Sequence, residues 1–319
     1  MSVTNESSGG ILFAQQIFQV VMSEGAIMKM IFSTFLSLFF IYLNIIMIYS
    51  LWSKPVFKET SRYILFAHML LNDSIHLLTS LLLVFSLSFF KLVTAVCVFI
   101  VSVSGTTFRN APLNLAVMSL ERYVAICFPL KHVQIATQRR TYVAIGIIWV
   151  IGSINYVIDV FYIIVIDSKY FTSHVFCVRE TLFIKQWQTD VFRGFNIVYF
   201  VSVSMIILFT YISILITARS ISCNKDSAIK AHKTVLLHLI QLGLCLTSFL
   251  YASIEQAASM LGNSKLFVDL RYLNYLFVLL LPRCLSPLIY GLRDDAVRPL
   301  FVYYFLCATG KHKPTVNVH

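Results

Sequence analysis

Seven long apolar stretches limit this chain to a small set of folds. They lie at about 26–52, 61–88, 93–126, 139–166, 191–220, 229–261 and 267–291. Each is near or above the roughly 20 residues that cross a bilayer as an α-helix. Transmembrane β-strands are shorter, about 10 residues, and alternate in polarity, which these stretches do not. Only 12% of the 319 residues are charged, against about 25% in soluble domains. The sequence therefore predicts an all-α membrane protein, a bundle of seven transmembrane helices.

The basic residues orient this bundle. The loops and adjoining span ends on one side of the predicted membrane carry fourteen Lys and Arg residues, and those on the other side carry six. Because basic residues accumulate on the cytoplasmic side, the amino terminus is predicted to be extracellular. The chain then divides into an extracellular amino terminus (1–25), a seven-transmembrane domain (26–292) and a cytoplasmic segment (293–319). The net charge of +11 does not indicate nucleic-acid binding, because the charges lie in separate short loops.

Both ends of the chain carry candidate modification sites. Asn5 begins an Asn-Glu-Ser acceptor pattern for glycosylation on the predicted outer side. Residues 294–307 mix apolar and basic side chains, which predicts a short amphipathic helix in the membrane interface. Cys307 at its end is either a palmitoylation site or an unmodified thiol.

Two cysteines lie on the predicted outer side. Cys97 is at the outer end of the third stretch, and Cys177 is in the long loop before the fifth, while the other five lie in spans or on the cytoplasmic side. Because disulfides form in the oxidising compartment, we expect a Cys97–Cys177 bond that ties the loop to the bundle.

Known catalytic and cofactor motifs are missing from the sequence. It has no Cys-x-x-Cys pair, zinc-protease motif, nucleophile elbow, Walker loop or dinucleotide fingerprint. It also lacks the inverted repeat of broken helices found in many transporters. We therefore expect neither enzyme activity, nor a bound metal, nor a cofactor.

Ionisable residues inside the predicted spans are candidates for function, because a charge in hydrocarbon is unfavourable. Asp73 of the second span could bind a cation or relay a proton, or it could be a hydrogen-bonded packing residue. Arg109 of the third span could hold a carboxylate or sulfonate ligand by a bidentate contact, or it could pair with Asp159 of the fourth. Glu255 of the sixth span is a second polar candidate for an outward-facing pocket.

The inner end of the third span carries Glu121, Arg122 and Tyr123. An adjacent acid and arginine can hold a helix end closed and be released when the helices shift. Charges at an ordinary helix end are the other interpretation. In the seventh span, Pro282 and Pro287 predict a kink that would let Tyr290 move.

Taken together, these motifs resemble the rhodopsin-like G-protein-coupled receptors, and most closely the odorant receptors, of the fish type. Residues 118–132 are similar to the family's M-A-Y-D-R-Y-V-A-I-C-x-P-L-x-Y, residues 230–239 to K-A-x-x-T-C-x-x-H-L, and residues 287–293 to N-P-x-I-Y-x-x-R. The resemblance covers about residues 26–306. It departs from the family pattern at Glu121, which replaces an Asp, and at Ser286, which replaces an Asn.

The resemblance implies a receptor that binds a small-molecule odorant between spans three, five and six. It further implies that a stimulatory, olfactory-type heterotrimeric G protein is activated at the plasma membrane of olfactory sensory neurons. The positions that it places at the ligand are Ser104, Gly105, Phe108, Arg109, Ser253 and Glu255. The positions that it places in the activation switch are Asp73, Glu121, Arg122, Tyr123, Tyr211 and Tyr290. A receptor for a non-odorant metabolite and a transporter or channel are the alternatives.

Overall fold

The fold was taken from a computed structural model. The residues that it describes are 24–89, 91–166, 168–175, 177, 185–221, 243, 254, 269–270, 272–285 and 296–306. Several predictions lie outside the described residues: nearly all of the sixth span, most of the amino-terminal segment 1–25, and the positions Asn5, Ser253, Glu255, Pro287, Tyr290 and Cys307.

Helices make up most of the described chain. The long ones are α1 (Glu24–Trp52), α3 (Ser61–Phe89), α4 (Thr94–Cys127), α6 (Gln138–Ile166) and α7 (Gln186–Ile221). The short ones are α2 (Pro55–Glu59), α5 (Pro129–Ile135), α8 (Tyr272–Leu285) and α9 (Arg298–Phe305). Two-residue strands β1 (Leu92–Val93) and β2 (His174–Val175) pair antiparallel, and a 3₁₀ turn (Ser168–Thr172) precedes β2.

All five long helices are long and apolar enough to cross a membrane, which confirms the first five predicted spans. The fifth begins at Gln186, earlier than the predicted residue 191. Its start is stabilised by Gln188, whose Oε1 accepts a hydrogen bond of 3.0 Å from the Lys185 amide. A Gln three residues into a helix satisfies a free amide in this way, so the helix begins in polar sequence that an apolar pattern does not detect.

The central helix of the described bundle is α4, which packs against α3, α6 and α7. It ends at Cys127, and Pro129 opens α5 as its first residue, where a proline without an amide hydrogen is tolerated. We call the end of the bundle near Cys97 the outer end and the end near Cys127 the inner end, after the predicted orientation.

Two apolar clusters hold the ends of the bundle. At the inner end, Met47, Leu70 and Leu115 pack with Leu300 and Phe301, which attach the amphipathic helix α9 to α1, α3 and α4. At the outer end, a second cluster contains Cys97 and Cys177, joined by the disulfide that the sequence predicts. The bond ties the segment around β2 to the first turns of α4. Apolar side chains on the outside of the bundle, such as Phe35 and Val150, are exposed, as expected for surfaces that contact lipid.

Candidate functional site

Two glycines bring α4 and α6 into close contact. A Cβ atom at Gly105 of α4 would lie 1.9 Å from the Tyr156 hydroxyl oxygen of α6, and one at Gly152 of α6 would lie 2.1 Å from the side-chain amide of Asn110 of α4. Small residues at such positions allow transmembrane helices to approach closely. Gly105, predicted to contact ligand, therefore has a packing role in this structure.

The guanidinium of Arg109 is buried at the junction of α4, α6 and α7. Its central carbon lies 5.0 Å from the ring centroid of Tyr156, 4.7 Å from that of Phe192 and 5.3 Å from that of Phe195. Cations are attracted to aromatic faces at these distances. We call Tyr156, Phe192 and Phe195 the aromatic cage.

Polar groups of α6 and α7 complete the surroundings of Arg109. With its side-chain oxygen facing the guanidinium, Asn155 accepts from both terminal nitrogens at 3.3 Å. Asp159, one helical turn further, attracts Arg109 electrostatically and accepts a 3.0 Å hydrogen bond from Gln188 Nε2. The Tyr199 hydroxyl donates to the Arg109 carbonyl oxygen. Asp159 therefore lies in the surroundings of Arg109, and Asn155 is an acceptor that the sequence did not indicate.

The four predicted pocket residues of α4 lie on two different sides of the helix. Gly105 and Arg109 face the aromatic cage. The Ser104 carbonyl oxygen faces α3, where His76 Nδ1 donates to it at 3.1 Å, and the Phe108 ring lies 6.0 Å from the His76 ring. Since residues four apart share a face of a helix, 104 and 108 form one pair and 105 and 109 the other.

Asp73 is paired with a cation inside the bundle. Arg283 Nη1 of α8 lies 2.5 Å from Asp73 Oδ1, and both side chains are buried. Arg283 Nη2 donates to the Phe108 carbonyl oxygen at 3.2 Å. The sequence interpretation missed Arg283, although a charged residue inside an apolar stretch was the signal that selected Asp73 and Arg109. Among the described residues, no group of three or more His, Cys, Asp or Glu side chains is placed to hold a metal ion.

A partly buried chain of hydrogen bonds connects α6, α3 and α4, nearer the inner end of the bundle than Arg109. Trp149 Nε1 donates to His68 Nε2 at 3.0 Å, and His68 Nδ1 lies 3.1 Å from Asn114 Oδ1. Asn114 Nδ2 in turn donates to the Leu65 carbonyl oxygen at 3.1 Å. Because an indole nitrogen can only donate, His68 Nε2 must accept and its proton must be on Nδ1. His68 is therefore held neutral in one tautomer.

At the inner end of α4, Glu121 has two basic neighbours. Its Oε2 lies 3.7 Å from Arg122 Nε, and its Oε1 accepts from His132 Nε2 of α5 at 3.0 Å. The Glu121–Arg122 contact is the one that the sequence suggests, whereas the sequence did not indicate His132 as a partner of Glu121. The Glu121 side chain is 8% exposed, and basic partners of this kind stabilise a carboxylate that is removed from water.

Contacts between α4 and α7 surround this charged cluster. The Tyr123 ring lies 5.6 Å from the Phe209 ring, and Cys127 Sγ lies 3.2 Å from Thr217 Oγ1. Tyr211, the predicted switch residue of α7, is half-buried in the same part of the helix. A shift of α7 relative to α4 would therefore change the contacts of Tyr123, the residue next to Arg122.

Comparison with known proteins gives a consistent result. Residues 24–290 match the family model of the seven-transmembrane receptors of the rhodopsin family. Odorant receptor 131-2 of Danio rerio is 34% identical over 283 residues, which cover 86% of this chain and 85% of that protein. Olfactory receptor 8K5 of Homo sapiens is 28% identical over 60% of this chain and 62% of its own length, and the human olfactory receptor 8J1 is 23% identical over 58% of each.

Proposed function

Because this chain belongs to the seven-transmembrane receptors of the rhodopsin family, we propose that it is an odorant receptor. It binds a small organic molecule from the outer side and activates a stimulatory, olfactory-type heterotrimeric G protein on the inner side. The observation that carries this proposal is the 34% identity with an odorant receptor over 86% of the chain. Its location is the plasma membrane of olfactory sensory neurons, with residues 1–25 outside, 26–292 in the membrane and 293–319 inside.

The ligand binds between α4, α7 and the sixth span. On this proposal Gly105 and Arg109 form its floor together with the aromatic cage, Ser253 and Glu255 approach from the sixth span, and Ser104 and Phe108 border it toward α3. The cage supports this assignment, because aromatic rings bury a large area of an apolar ligand. Arg109 either binds an anionic group of the ligand or acts with Asn155 and Asp159 to hold the helices.

The response is a shift between two arrangements of the helices. A ligand that binds the active arrangement better raises its population by that difference in affinity. Glu121, Arg122 and Tyr123 are the part of the switch on α4, Tyr211 and Tyr290 are its parts on the fifth and seventh spans, and Asp73 couples it to the middle of the membrane. Glu121 holds Arg122 in the resting arrangement, and His132 supports Glu121 from α5.

The inner face has an apolar feature suited to a protein partner. On α5, Leu130 is 93% exposed and Val133 is 79% exposed, and residues three apart lie on one side of a helix. They stand next to the exposed Lys131. Exposed apolar side chains with a charged rim are typical of protein interfaces, so we assign this surface to the G protein.

The test is cAMP output in cells that contain this chain and an olfactory-type G protein. The cells are challenged with amino acids, bile salts, steroids and small organic acids. A ligand-dependent rise that Arg122→Ala abolishes, at equal surface expression, is the expected result. A ligand-dependent current or uptake without any G protein would instead establish a channel or transporter.

Arg109 is tested on the same panel with a matched control. Arg109→Ala should remove responses to anionic ligands selectively if this residue contacts the ligand, while Arg193→Ala, an exposed arginine of α7, should leave them unchanged. Equal loss of all responses together with reduced surface expression would assign Arg109 to helix packing.

A further inference from the structure

The ion pair between Asp73 and Arg283 joins three helices in the middle of the bundle. Asp73 lies on α3, Arg283 on α8, and the Phe108 carbonyl that accepts the second bond of Arg283 lies on α4. The exposed fractions are 1% for Asp73 and 5% for Arg283. The guanidinium also lies 5.8 Å from the Phe108 ring centroid. Arg283 is therefore held at one position by contacts to three partner groups.

A buried carboxylate needs a compensating charge, because an ion transferred from water without a partner is strongly unfavourable. A metal ion could supply this charge and exchange with the solution. A side chain supplies it permanently and, because a guanidinium has several donors in a fixed plane, it can bond a second group as well. In this protein the second group is the backbone of α4.

The local form of α8 directs Arg283 to this position. Residues Tyr275–Leu280 form a π-helical turn, and the Leu281 amide donates to the Leu276 carbonyl five residues earlier. Pro282 follows directly, and a proline disturbs the regular bonding of an α-helix. A π turn holds about one extra residue, so it rotates the residues that follow by roughly 100° about the helix axis. The orientation of Arg283 toward α3 and α4 depends on this turn.

We propose that Arg283 is a built-in counter-ion, a positioning residue that takes the place of an exchangeable monovalent metal ion at Asp73 and ties α8 to α3 and α4. The stability of the wild-type bundle is then independent of sodium. Removal of the guanidinium leaves the Asp73 carboxylate as a binding site for sodium. This inference concerns the helix bundle and does not depend on the identity of the ligand or the G protein.

The test uses the full chain, purified into lipid nanodiscs, with sodium ion as the probe and no odorant or G protein. Thermal unfolding is recorded in about 150 mM sodium chloride and in equal choline chloride, which keeps the ionic strength constant. The wild type and the exposed control Arg193→Met should unfold at the same temperature in both salts. Arg283→Met should unfold roughly 3 °C higher in sodium than in choline. The double variant Asp73→Asn/Arg283→Met should unfold at the same temperature in both salts.

If Asp73 and Arg283 are held together by their charges, a second result is expected that a simple loss of packing would not produce. Each single neutralisation leaves one buried charge without its ionic partner, so Asp73→Asn and Arg283→Met should each unfold at a lower temperature than the double variant. Arg283→Lys should restore sodium independence, because it restores the charge.

Two results would overturn the inference. One is a sodium-dependent rise in the wild type that Asp73→Asn removes, which would show an exchangeable ion at the native site. The other is an Arg283→Met protein that unfolds identically in both salts. If Arg283→Met cannot be purified, the inference can still be tested with the wild type, Asp73→Asn and the double variant. A double variant that unfolds at a lower temperature than Asp73→Asn contradicts the ionic pairing.

Discussion

Replacing Gly105 by alanine tests the close approach of α4 and α6. The new Cβ would lie 1.9 Å from the Tyr156 hydroxyl oxygen and 2.1 Å from Tyr156 Cζ, where ordinary contact begins at 3.4 Å. The ring must therefore move by about 1.5 Å. Tyr156 is 4% exposed and belongs to the aromatic cage, so neighbouring side chains must move with it.

The expected loss follows from two opposing effects. Overpacking of a buried site destabilises by about 3 kcal/mol at the upper end of its usual range. Alanine in place of glycine inside a helix returns about 1 kcal/mol. The net destabilisation of about 2 kcal/mol corresponds to a fall of roughly 4 °C in the unfolding temperature.

Gly146 provides the matched control for this measurement. It lies on the same helix as Tyr156, and a Cβ added there would meet nothing within 4 Å. Gly146→Ala should therefore raise the unfolding temperature by roughly 2 °C, since only the helix preference changes. The assay is thermal unfolding of both purified variants in nanodiscs. If Gly105→Ala and Gly146→Ala unfold at the same temperature, the argument that Gly105 is required for packing is refuted.

Three further predictions address the disulfide, the inner cluster and the polar chain. Cys177→Ser should destabilise the protein by about 2–5 kcal/mol, and surface expression that equals the wild type would contradict this. Glu121→Gln should raise basal cAMP output because it weakens the contact that holds Arg122, and His132→Ala should produce a smaller rise. Unchanged output at equal surface levels would show that Glu121 is not part of the switch. Trp149→Phe should destabilise by about 1–3 kcal/mol because His68 loses its donor, and an unfolding temperature equal to that of the wild type would contradict the assigned tautomer.

Positions that depend on the local pattern were predicted well. The first five spans are set by apolar runs, and the amphipathic helix within 294–307 is set by its mixture of charged and apolar residues. These signals act over a few turns of helix and need no knowledge of the neighbouring helices.

The Cys97–Cys177 disulfide also followed from the sequence, although it joins distant residues. The predicted topology left only two cysteines on the outer side, so no geometric information was required to pair them. The family could be recognised in the same way, because its motifs are short, ordered along the chain and matched by residues 24–290 as a whole.

The partners of the charged residues could not be derived in this way. Asp73 was correctly selected as a buried charge, but its partner Arg283 lies 210 residues later. Arg283 faces Asp73 because the π turn rotates the end of α8. The pattern of apolar residues does not predict that turn. Likewise, the second basic partner of Glu121 is His132, because α5 folds back toward α4.

The sequence by itself determined which segments cross the membrane, which residues carry charge inside it and which family the chain resembles, because hydrophobicity and motifs are properties of the residues alone. Only the tertiary structure decided that Ser104 and Phe108 face α3 while Gly105 and Arg109 face the aromatic cage. The physical reason is that the azimuth of each helix is set by packing with its neighbours. A buried charge then takes whichever partner that packing brings within reach.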